Sequence, residues 1–330
     1  MSYNFVIYNY PEGGVLSRKR GYYSMCLDDL RNLSNVQIID SFLAKASLFT
    51  RWIYRIHNSG YLNRICDIPF KSFWYKHVVD IRFDNNDPIC FVFLWFPPIE
   101  YLYYLKKTYS KCILVRACRD LFDSSKTYKR YYEAGIFDYW MSFDKGDCEK
   151  YGMTYFSEFE SYVDVKTKSE SCDVFFAGRA KNRLGKLINY YDQLSNLGLN
   201  CFFYIVGVPK SKRIERQGIK YSDKPMAYVN MLEFSSSSRC ILEVNQEGAD
   251  GFTSRFLEAV ILGRRLITDN LTIKESRFYK SGYIYCISED LKDIPSAFFK
   301  GDFAVDYKYN GEFSPIIFLQ KVQQVIKNNE

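Results

Sequence analysis

The chain has 330 residues, 47% hydrophobic and 25% charged, a balance typical of a folded protein with room for two domains. Its net charge of +7 comes from dispersed basic residues, which fits nucleotide phosphates or anionic lipid as partners and does not require nucleic acid. Ten cysteines without a CxxC pair and only two histidines argue against a disulfide framework and against a zinc site.

Strand-like and helix-like segments alternate along the first half of the chain. Apolar runs predict strands at residues 4–8, 36–39, 89–95, 112–117 and 139–143. Helices are predicted between them at residues 41–56, 70–79, 99–109 and 126–134. This alternation predicts an α/β domain with a parallel, doubly wound sheet over residues 1–165.

A polar stretch, DVKTKSES, interrupts the pattern at residues 164–171 and predicts a domain boundary. Beyond it, strands are predicted at residues 173–178, 201–206, 240–244, 266–269 and 283–287. Helices are predicted at residues 182–196, 225–235, 254–262 and 315–328. We therefore expect a second Rossmann-like domain over 172–310, a terminal helix within 311–330, and two domains that face a cleft.

Aromatic residues are unusually frequent, with 29 tyrosines and 27 phenylalanines. A surface that stacks on sugar rings or contacts lipid headgroups would explain the excess, and so would an AT-rich coding bias. The segment LFTRWIYRIHNSGYLNRI, residues 48–65, places Trp52 among arginines and fits a helix on an anionic bilayer. Packing in the core of the first domain explains the same apolar side chains.

The chain begins directly with a predicted strand, without the basic and apolar regions of a signal peptide. It also contains no apolar window long enough for a transmembrane helix. We therefore expect a cytoplasmic protein, associated at most peripherally with the inner face of the cell membrane.

A glycine-bearing loop, NYPEGGVLSRKRG, follows the first strand. It brings Gly13, Gly14 and Arg18 to the edge where open α/β sheets bind ligands. A surface hairpin would have the same composition. Because the loop matches neither GxGxxG nor a P-loop, a dinucleotide or nucleoside triphosphate site is disfavoured.

The second domain opens in the same way, with the strand DVFFAG followed by RAKNRLGKL. Here Gly178, Arg179, Lys181 and Arg183 lie at the end of a strand and the start of a helix, where phosphate oxygens are bound readily. If the strands of this domain are parallel, this loop converges with a second polar loop that begins near residue 245.

That second loop belongs to the segment ILEVNQEGADGFTSRFLEAVILGRRLITDN, residues 241–270. Its entry contains Gly248 and Gly251, which allow close approach of the backbone to a ligand, and Gln246 as a further candidate donor-binding residue. Thr253 or Ser254 can cap the following helix and offer a hydroxyl to a phosphate.

The same helix carries two charged residues one turn apart. Arg255 is suited to bind a phosphate through two donors, and Glu258 is suited to accept hydrogen bonds from ribose hydroxyls. The pattern therefore predicts a nucleotide-diphosphate or nucleotide-sugar site. The alternative is an ordinary surface helix with both charges solvated.

Carboxylates that follow a strand are the candidate general bases. Asp120 follows the strand at 112–117, and Glu12 follows the first strand, so that either could deprotonate a hydroxyl. A carboxylate in this position is also a common helix cap, and Asp123 has that pattern. No DxD motif occurs, so the sequence predicts metal-independent chemistry and no cofactor.

Three segments resemble bacterial glycosyltransferases of lipopolysaccharide, O-antigen and capsule biosynthesis, which have two Rossmann-like domains in the GT-B arrangement. They are SFDKGDCEKYG at 142–152, DVFFAGRAKNRLGKL at 173–187 and SRFLEAVILGRRLITDN at 254–270. The most specific element is R-x-x-E-A-x-x-x-G, formed by Arg255, Glu258, Ala259 and Gly263.

The resemblance implies that the second domain holds a nucleotide sugar, with Glu258 at the ribose and Arg255 and Arg179 at the diphosphate. Lys181 or Arg183 would support them, and the first domain would face the acceptor. The chain departs from the commonest GT-B pattern of two glutamates eight positions apart, because Asp250 stands where the first would be.

The resemblance thus implies an enzyme that transfers a hexose from a UDP- or GDP-linked sugar to a lipid-linked saccharide. A sugar-nucleotide epimerase of the same fold and a non-catalytic nucleotide- or glycan-binding module are the alternatives. Under the first interpretation, Arg255→Ala is expected to abolish transfer and leave the fold intact.

Overall fold

The computed structural model describes residues 2–11, 21–43, 45–59, 61–62, 68–76, 78, 81–124, 126–165, 172–245, 251–288 and 290–329. The chain forms two compact units, Met1–Ser157 with Pro315–Glu330, and Glu158–Ser314. It therefore changes unit after Ser157, upstream of the polar stretch at 164–171, and its last helix belongs to the first unit.

Within the described residues, the first unit holds a six-stranded sheet in the order β2-β1-β3-β4-β5-β6, with every neighbouring pair parallel. Its strands are β1 Asn4–Tyr8, β2 Val36–Ile39, β3 Ile89–Phe93, β4 Ile113–Cys118, β5 Tyr139–Ser142 and β6 Thr154–Tyr155. The sequence predicts all of them but the two-residue β6, since buried parallel strands are nearly continuous apolar runs.

The second unit also holds a parallel six-stranded sheet in its described part, in the order β12-β11-β10-β7-β8-β9. Its strands are β7 Val174–Arg179, β8 Cys201–Val206, β9 Ile219–Ser222, β10 Cys240–Glu243, β11 Arg265–Thr268 and β12 Ile284–Cys286. Two Rossmann-like α/β units are therefore confirmed.

The helices connect the strands in the expected alternation. They are α1 Tyr22–Met25, α2 Leu48–His57, α3 Ser72–Tyr75, α4 Ile99–Thr108, α5 Lys126–Glu133, α6 Lys145–Tyr151, α7 Leu184–Asn196, α8 Tyr228–Ser237, α9 Ser254–Ile261 and α10 Pro315–Lys327. Among those described, no helix is both long and apolar enough to span a bilayer.

Two helices are shorter than predicted. The helix expected over 41–56 begins only at Leu48, because the Ser47 hydroxyl accepts a hydrogen bond from the Thr50 N–H at 3.1 Å and caps the first turn. The helix expected over 70–79 is reduced to α3, and Phe70 just before it has a left-handed backbone with φ 64°.

Helix α6 is absent from the sequence prediction, since its residues KGDCEKY lack an apolar period. Its ends are set by local chemistry instead. The Asp144 carboxylate accepts a hydrogen bond from the Asp147 N–H at 2.9 Å, and Gly152 ends the helix with φ 65°.

Aromatic residues fill much of the first core. Tyr8 stacks on Phe93 with ring centroids 4.6 Å apart, and Phe42 meets Tyr101 edge-on at 4.9 Å. The Tyr8 and Tyr101 hydroxyls hydrogen-bond to each other at 2.6 Å, and burial raises the pKa of both phenols. Part of the aromatic excess is therefore core packing.

Both faces of the second sheet are covered. Phe176 and Leu242 point to one face and pack with Leu187 of α7. Ile241 points to the other face and packs with Phe256 of α9. Because successive strand residues alternate between faces, both faces of β10 must be apolar, and its ends carry the polar residues.

Gly218 is expected to be irreplaceable for steric reasons. A Cβ at this position would overlap the Cys201 carbonyl oxygen and approach the Tyr191 hydroxyl to 2.8 Å. Gly218→Ala should therefore lower the free energy of unfolding by about 1–3 kcal/mol in urea denaturation followed by circular dichroism. Gly185→Ala is the matched control, because a Cβ there in α7 has no heavy atom within 4 Å. It should leave stability unchanged or raise it, and equal loss in both variants would contradict the packing at Gly218.

Candidate functional site

The carboxyl ends of β7, β10 and β11 lie side by side, because these three strands are adjacent and parallel. The loops that follow them in the chain therefore meet at one edge of the second sheet. We call this the β7–β10–β11 edge, formed by residues 178–183, 243–245 and 268–270 together with Lys186 and the start of α9. Gln246 lies outside the described residues.

Arg183 holds two of these loops together. Its guanidinium Nη1 donates to the Val244 carbonyl oxygen, and Nη2 donates to the Arg179 carbonyl oxygen at 2.8 Å. Burial lowers the pKa of Arg183, and the nearby carboxylate of Asp269 opposes that shift. The side chain thus acts as a tie between the end of β10 and the loop after β7.

Arg179 and Lys181 are exposed on the same loop. Their side chains form no hydrogen bond or ion pair with the described part of the chain. Lys181 has φ 44°, a left-handed conformation that a non-glycine residue adopts only at a cost. Gly178, with Phe176 ring carbon 3.1 Å from the position of a Cβ, precedes them at the strand end. Two positive side chains therefore stand at this edge, available to an anion.

An ion pair that the sequence pattern does not single out lies beside them. Lys186 Nζ is 2.7 Å from Asp269 Oδ2, and Asp269 Oδ1 accepts a hydrogen bond from the Asn245 N–H at 2.7 Å. Asp269 directly follows β11. Its position at a strand end was the only feature of the sequence that could have pointed to this ion pair. The pair ties β11, β10 and α7 together.

The start of α9 is held by a buried carboxylate. Thr253 caps the helix by accepting a hydrogen bond from the Arg255 N–H at 3.2 Å, and its hydroxyl donates to Glu243. The Thr268 hydroxyl donates to the same carboxylate, whose burial raises the pKa of Glu243. Of the two candidate caps, Thr253 is the one that caps the helix. Its hydroxyl already donates to Glu243, so it has no proton left to donate to a phosphate.

Two further predicted residues border this cap. Ser254 is half-buried at the first turn of α9, and its side chain makes no hydrogen bond with the described residues. The Gly251 carbonyl oxygen accepts a hydrogen bond from Asn270 Nδ2 at 3.0 Å. Gly251 is therefore attached to the residue that follows the end of β11, and Ser254 keeps a hydroxyl that a ligand could use.

Arg255 and Glu258 form a buried ion pair, so their interpretation as solvated surface charges is wrong. The Glu258 side chain is 1% exposed and that of Arg255 is 19% exposed. Arg255 also donates to the Ala177 carbonyl oxygen of β7 at 3.2 Å, and it contacts Met231 of α8. The pair therefore links α9 to α8 and to the end of β7.

The Glu258 carboxylate is incompletely satisfied. Its Oε2 accepts from Arg255, but its buried Oε1 has no hydrogen-bond partner among the described residues. Burial raises the pKa of Glu258, and the Arg255 charge opposes the shift. Arg255→Ala would leave a buried carboxylate unpaired, which typically costs about 3–5 kcal/mol, so this variant is unsuited as a test that preserves the fold.

In the first unit, Asp120 is exposed just beyond the carboxyl end of β4. Its neighbour Arg119 donates to the Tyr22 hydroxyl at 3.0 Å, and its guanidinium lies 5.8 Å from the Tyr23 ring centroid. Tyr10, beyond the end of β1, packs on Tyr23 with centroids 4.7 Å apart. Tyrosines thus surround the strand end that carries Asp120.

This tyrosine cluster was missed by the sequence analysis, although Tyr10 follows the first strand and Arg119 precedes Asp120. The contact of residues 22 and 23 with residue 119 depends on the tertiary fold. Glu12, Gly13, Gly14 and Arg18 lie outside the described residues.

Asp123 has a structural environment. Its carboxylate is 2.9 Å from Lys129 Nζ and 2.7 Å from Lys150 Nζ, and it accepts a hydrogen bond from the Tyr151 hydroxyl at 2.8 Å. These hydrogen bonds hold the pKa of Asp123 well below its usual value. Asp123 is thus held by two lysines and a tyrosine, which fits a structural role.

Across the part of the chain that the structure describes, no three histidine, cysteine, aspartate or glutamate side chains come together as a metal site.

No protein-family model and no curated protein matches the sequence. Solved structures do match. HepE of Anabaena, in complex with UDP-glucose, is 12% identical, with 98% of this chain and 99% of that chain covered and a TM-score of 0.56. A glycosyltransferase from Rickettsia africae ESF-5 is 13% identical over 89% of this chain and 85% of its own, with a TM-score of 0.49.

An α,α-trehalose 6-phosphate synthase from Burkholderia multivorans is 11% identical over 100% of this chain and 98% of its own, with a TM-score of 0.47. At these identities the likeness shows the fold alone, and the HepE match carries it. The GT-B fold class predicted from the sequence is thus confirmed.

The buried Glu243 predicts a pH-dependent stability. Because its pKa is raised above the ordinary 4.5, the folded protein keeps this proton to higher pH than the unfolded chain does. The contribution to stability is fully present below the ordinary value and is lost as pH rises through the raised pKa. Glu243→Gln should therefore gain stability relative to the native chain as pH rises from about 4.5 towards 8 in urea denaturation.

Glu149→Gln is the control for this experiment, because Glu149 is exposed on α6. It should leave the pH profile unchanged. If Glu243→Gln instead loses the same stability at every pH, the charged form of Glu243 is not destabilised by burial, and the prediction is wrong.

Proposed function

We propose that this chain is a glycosyltransferase that transfers a hexose from a nucleotide-diphosphate sugar to a hydroxyl of a lipid-linked saccharide in surface polysaccharide synthesis. One observation carries the proposal. The β7–β10–β11 edge brings together the loop 178–183 and the start of α9, and it leaves Arg179 and Lys181 exposed there. Positive side chains beside a helix N-terminus favour a diphosphate.

The environment of these two charges supports their role. Arg183, Lys186 and Arg255 all have protein partners at or near this edge, so they set its shape and its positive potential. Arg179 and Lys181 form no such contacts with the described residues, so changing their partners is not expected to break the fold. We assign Arg179 and Lys181 to the diphosphate. The Ser254 hydroxyl and the backbone of Gly178 and of Gly251 are proposed to contact it as well.

Glu258 is proposed as the ribose-binding carboxylate. Its Oε1 is an acceptor that has no donor among the described residues, and a ribose hydroxyl would supply one. In the described conformation the carboxylate is covered by Arg255, so binding there requires the Arg255 side chain to shift. UDP- and GDP-linked sugars are the donors to test, since HepE was solved with UDP-glucose.

The acceptor hydroxyl is proposed to lose its proton to Asp120, with Glu12 as the alternative base. The tyrosines around Arg119 offer flat apolar surface on which a sugar ring can stack. The proton moves from the acceptor hydroxyl to the carboxylate as the oxygen attacks the anomeric carbon. The nucleotide diphosphate leaves, and the positive side chains of the second unit stabilise it.

Removing the two exposed charges should weaken donor binding. Arg179→Gln and Lys181→Gln each remove a charged hydrogen bond worth about 1.5–3 kcal/mol, so the Kd for the donor should rise about tenfold to hundredfold. Isothermal titration calorimetry with UDP- and GDP-sugars measures this. Lys280→Gln and Lys300→Gln are the controls, because both lysines are exposed near the amino ends of β12 and β11, at the opposite edge of the same sheet.

The donor is first identified by thermal shift with each nucleotide sugar, in the presence and absence of EDTA. Stabilisation that persists in EDTA is expected, since no metal is assigned to the diphosphate. Unchanged donor affinity in Arg179→Gln and Lys181→Gln would contradict the assignment of the site. Isomerisation of the donor without acceptor would identify an epimerase, and binding without turnover a non-catalytic module.

Asp120→Asn should remove the general base. We expect kcat for transfer to fall about 10²–10⁴-fold while the Kd for the donor stays unchanged, because the residue lies in the other unit. Asp123→Asn is the matched control in the same loop and should retain transfer, since Asp123 pairs with Lys129 and Lys150. Full activity of Asp120→Asn with loss of activity in Glu12→Gln would move the base to Glu12.

A further inference from the structure

The first unit exposes a cluster of large apolar side chains on one surface. Leu48, Phe49 and Trp52 lie on the outer face of α2, and Phe70 and Phe73 lie at the start of α3. All five are between 41% and 84% exposed. We call these five residues the aromatic face. Contiguous apolar side chains at such exposure mark an interaction surface, since isolated ones are scattered on ordinary protein surfaces.

The aromatic face is held together by its own contacts. The rings of Phe49 and Trp52 are 6.4 Å apart at their centroids, and Phe49 meets Phe73 edge-on at 6.0 Å. The face thus joins α2 to α3 on the outside of the unit.

A different side of α2 packs into the core. Ile53 and Tyr54 lie against the buried cluster of the first unit, and Tyr54 meets Trp74 edge-on at 4.9 Å. The core-packing explanation of this segment therefore accounts for Ile53 and Tyr54, and it leaves Leu48, Phe49 and Trp52 unexplained. The helix has a second apolar side that the described fold does not cover.

The backbone at Phe70 reinforces this exposure. Phe70 has φ 64° and is 80% exposed. A bulky residue in the left-handed region is a genuine outlier, and here the strained conformation is kept without any burial of the ring to offset it. A cost of this kind at an exposed aromatic residue points to an interaction made outside the unit.

A concavity of about 710 Å³ lies between α2 and α3. Its walls are mainly apolar, with Trp52, Ile56, Phe70 and Phe73 among them, and Lys76 lies at its border. The volume accommodates part of a lipid molecule. Its apolar walls suit an acyl chain, and its lysine suits a headgroup phosphate.

In the described residues of the two segments that carry the aromatic face, the charged side chains have one sign. Residues 41–59 and 68–76 contain no aspartate or glutamate, and they contain five basic residues, Lys45, Arg51, Arg55, Lys71 and Lys76. Lys45, Arg55 and Lys76 are exposed. Aromatic side chains flanked by lysines and arginines match the layered chemistry of an anionic bilayer, whose phosphates lie outside its acyl chains.

We propose that the aromatic face and its surrounding basic residues form a docking surface for an anionic lipid bilayer. Trp52, Phe70 and Leu48 insert at the headgroup level, and Arg55 and Lys76 bind lipid phosphates. The inference deepens the proposed function by naming the surface that brings the chain to a lipid-linked acceptor, and it rests on that function only for the acceptor. Vesicle binding itself requires no transfer.

The test is co-sedimentation of the full chain with phosphatidylcholine vesicles, with and without phosphatidylglycerol. The native chain should bind the anionic vesicles and not the neutral ones. Trp52→Ser with Phe70→Ser should lower the partition coefficient at least about tenfold. Tyr162→Ser is the matched control, since Tyr162 is 60% exposed in the second unit, and it should bind like the native chain.

A second pair of variants tests the charges. Arg55→Glu with Lys76→Glu should lower binding to anionic vesicles at least about tenfold, and added salt should lower binding of the native chain in the same direction. Lys280→Glu with Lys300→Glu removes the same net charge from the second unit, away from the β7–β10–β11 edge, and should retain binding. Circular dichroism and donor binding confirm that each variant is folded.

Three outcomes would overturn the proposal. One is absence of native binding to anionic vesicles. Another is an equal loss of vesicle binding in the charge variant and its control, which would show that only the net charge of the chain matters. The third is concentration-dependent self-association in sedimentation velocity that Trp52→Ser with Phe70→Ser abolishes while vesicle binding persists. The two proposals can fail separately. Transfer to a soluble acceptor by a native chain that does not bind vesicles would overturn the docking surface and leave the enzyme assignment intact.

Discussion

The parallel pairing of β7, β10 and β11 is the constraint on which the candidate donor site depends. Adjacent parallel strands place their carboxyl ends at one edge, and these ends carry Arg179, Glu243 and Asp269. The Glu243 carboxylate accepts hydrogen bonds from Thr253 and Thr268, so it joins the cap of α9 to the neighbouring strand. Together with the Arg255 hydrogen bond to the Ala177 carbonyl oxygen, this tie sets the position of the start of α9 relative to the end of β7.

Burial divides the charges of this edge into two groups. Arg183 and Arg255 are largely covered and hold carbonyl oxygens or a carboxylate, and they keep the loops in place. Arg179 and Lys181 remain in solvent without a protein partner in the described chain. Charged groups with buried partners cannot be removed without a large cost in stability, whereas exposed ones can bind and release a ligand. The same residue types therefore serve structure and the proposed donor binding within one loop.

The aromatic excess is divided in a similar way. Tyr8, Phe42, Phe93 and Tyr101 pack in the core of the first unit, whereas Trp52 and Phe70 lie on its surface. Stacking on sugar rings, lipid contact and coding bias are thus not the only explanations of the composition. Edge-on and stacked contacts let aromatic side chains fill a core of this size. The surface residues are the ones that require a partner.

The sequence by itself determined the α/β class, nearly every strand, a helix cap at Thr253 or Ser254 and the residue types at the strand ends. Those features depend on neighbours close in the chain, which is why periodicity and capping patterns predict them. Tertiary structure decided which charges are engaged, that Glu258 is buried beneath Arg255, and that Tyr10, Tyr23 and Arg119 form one cluster. Burial and pairing depend on residues distant in sequence, so identical patterns can be solvated or buried until the sheet brings those residues together.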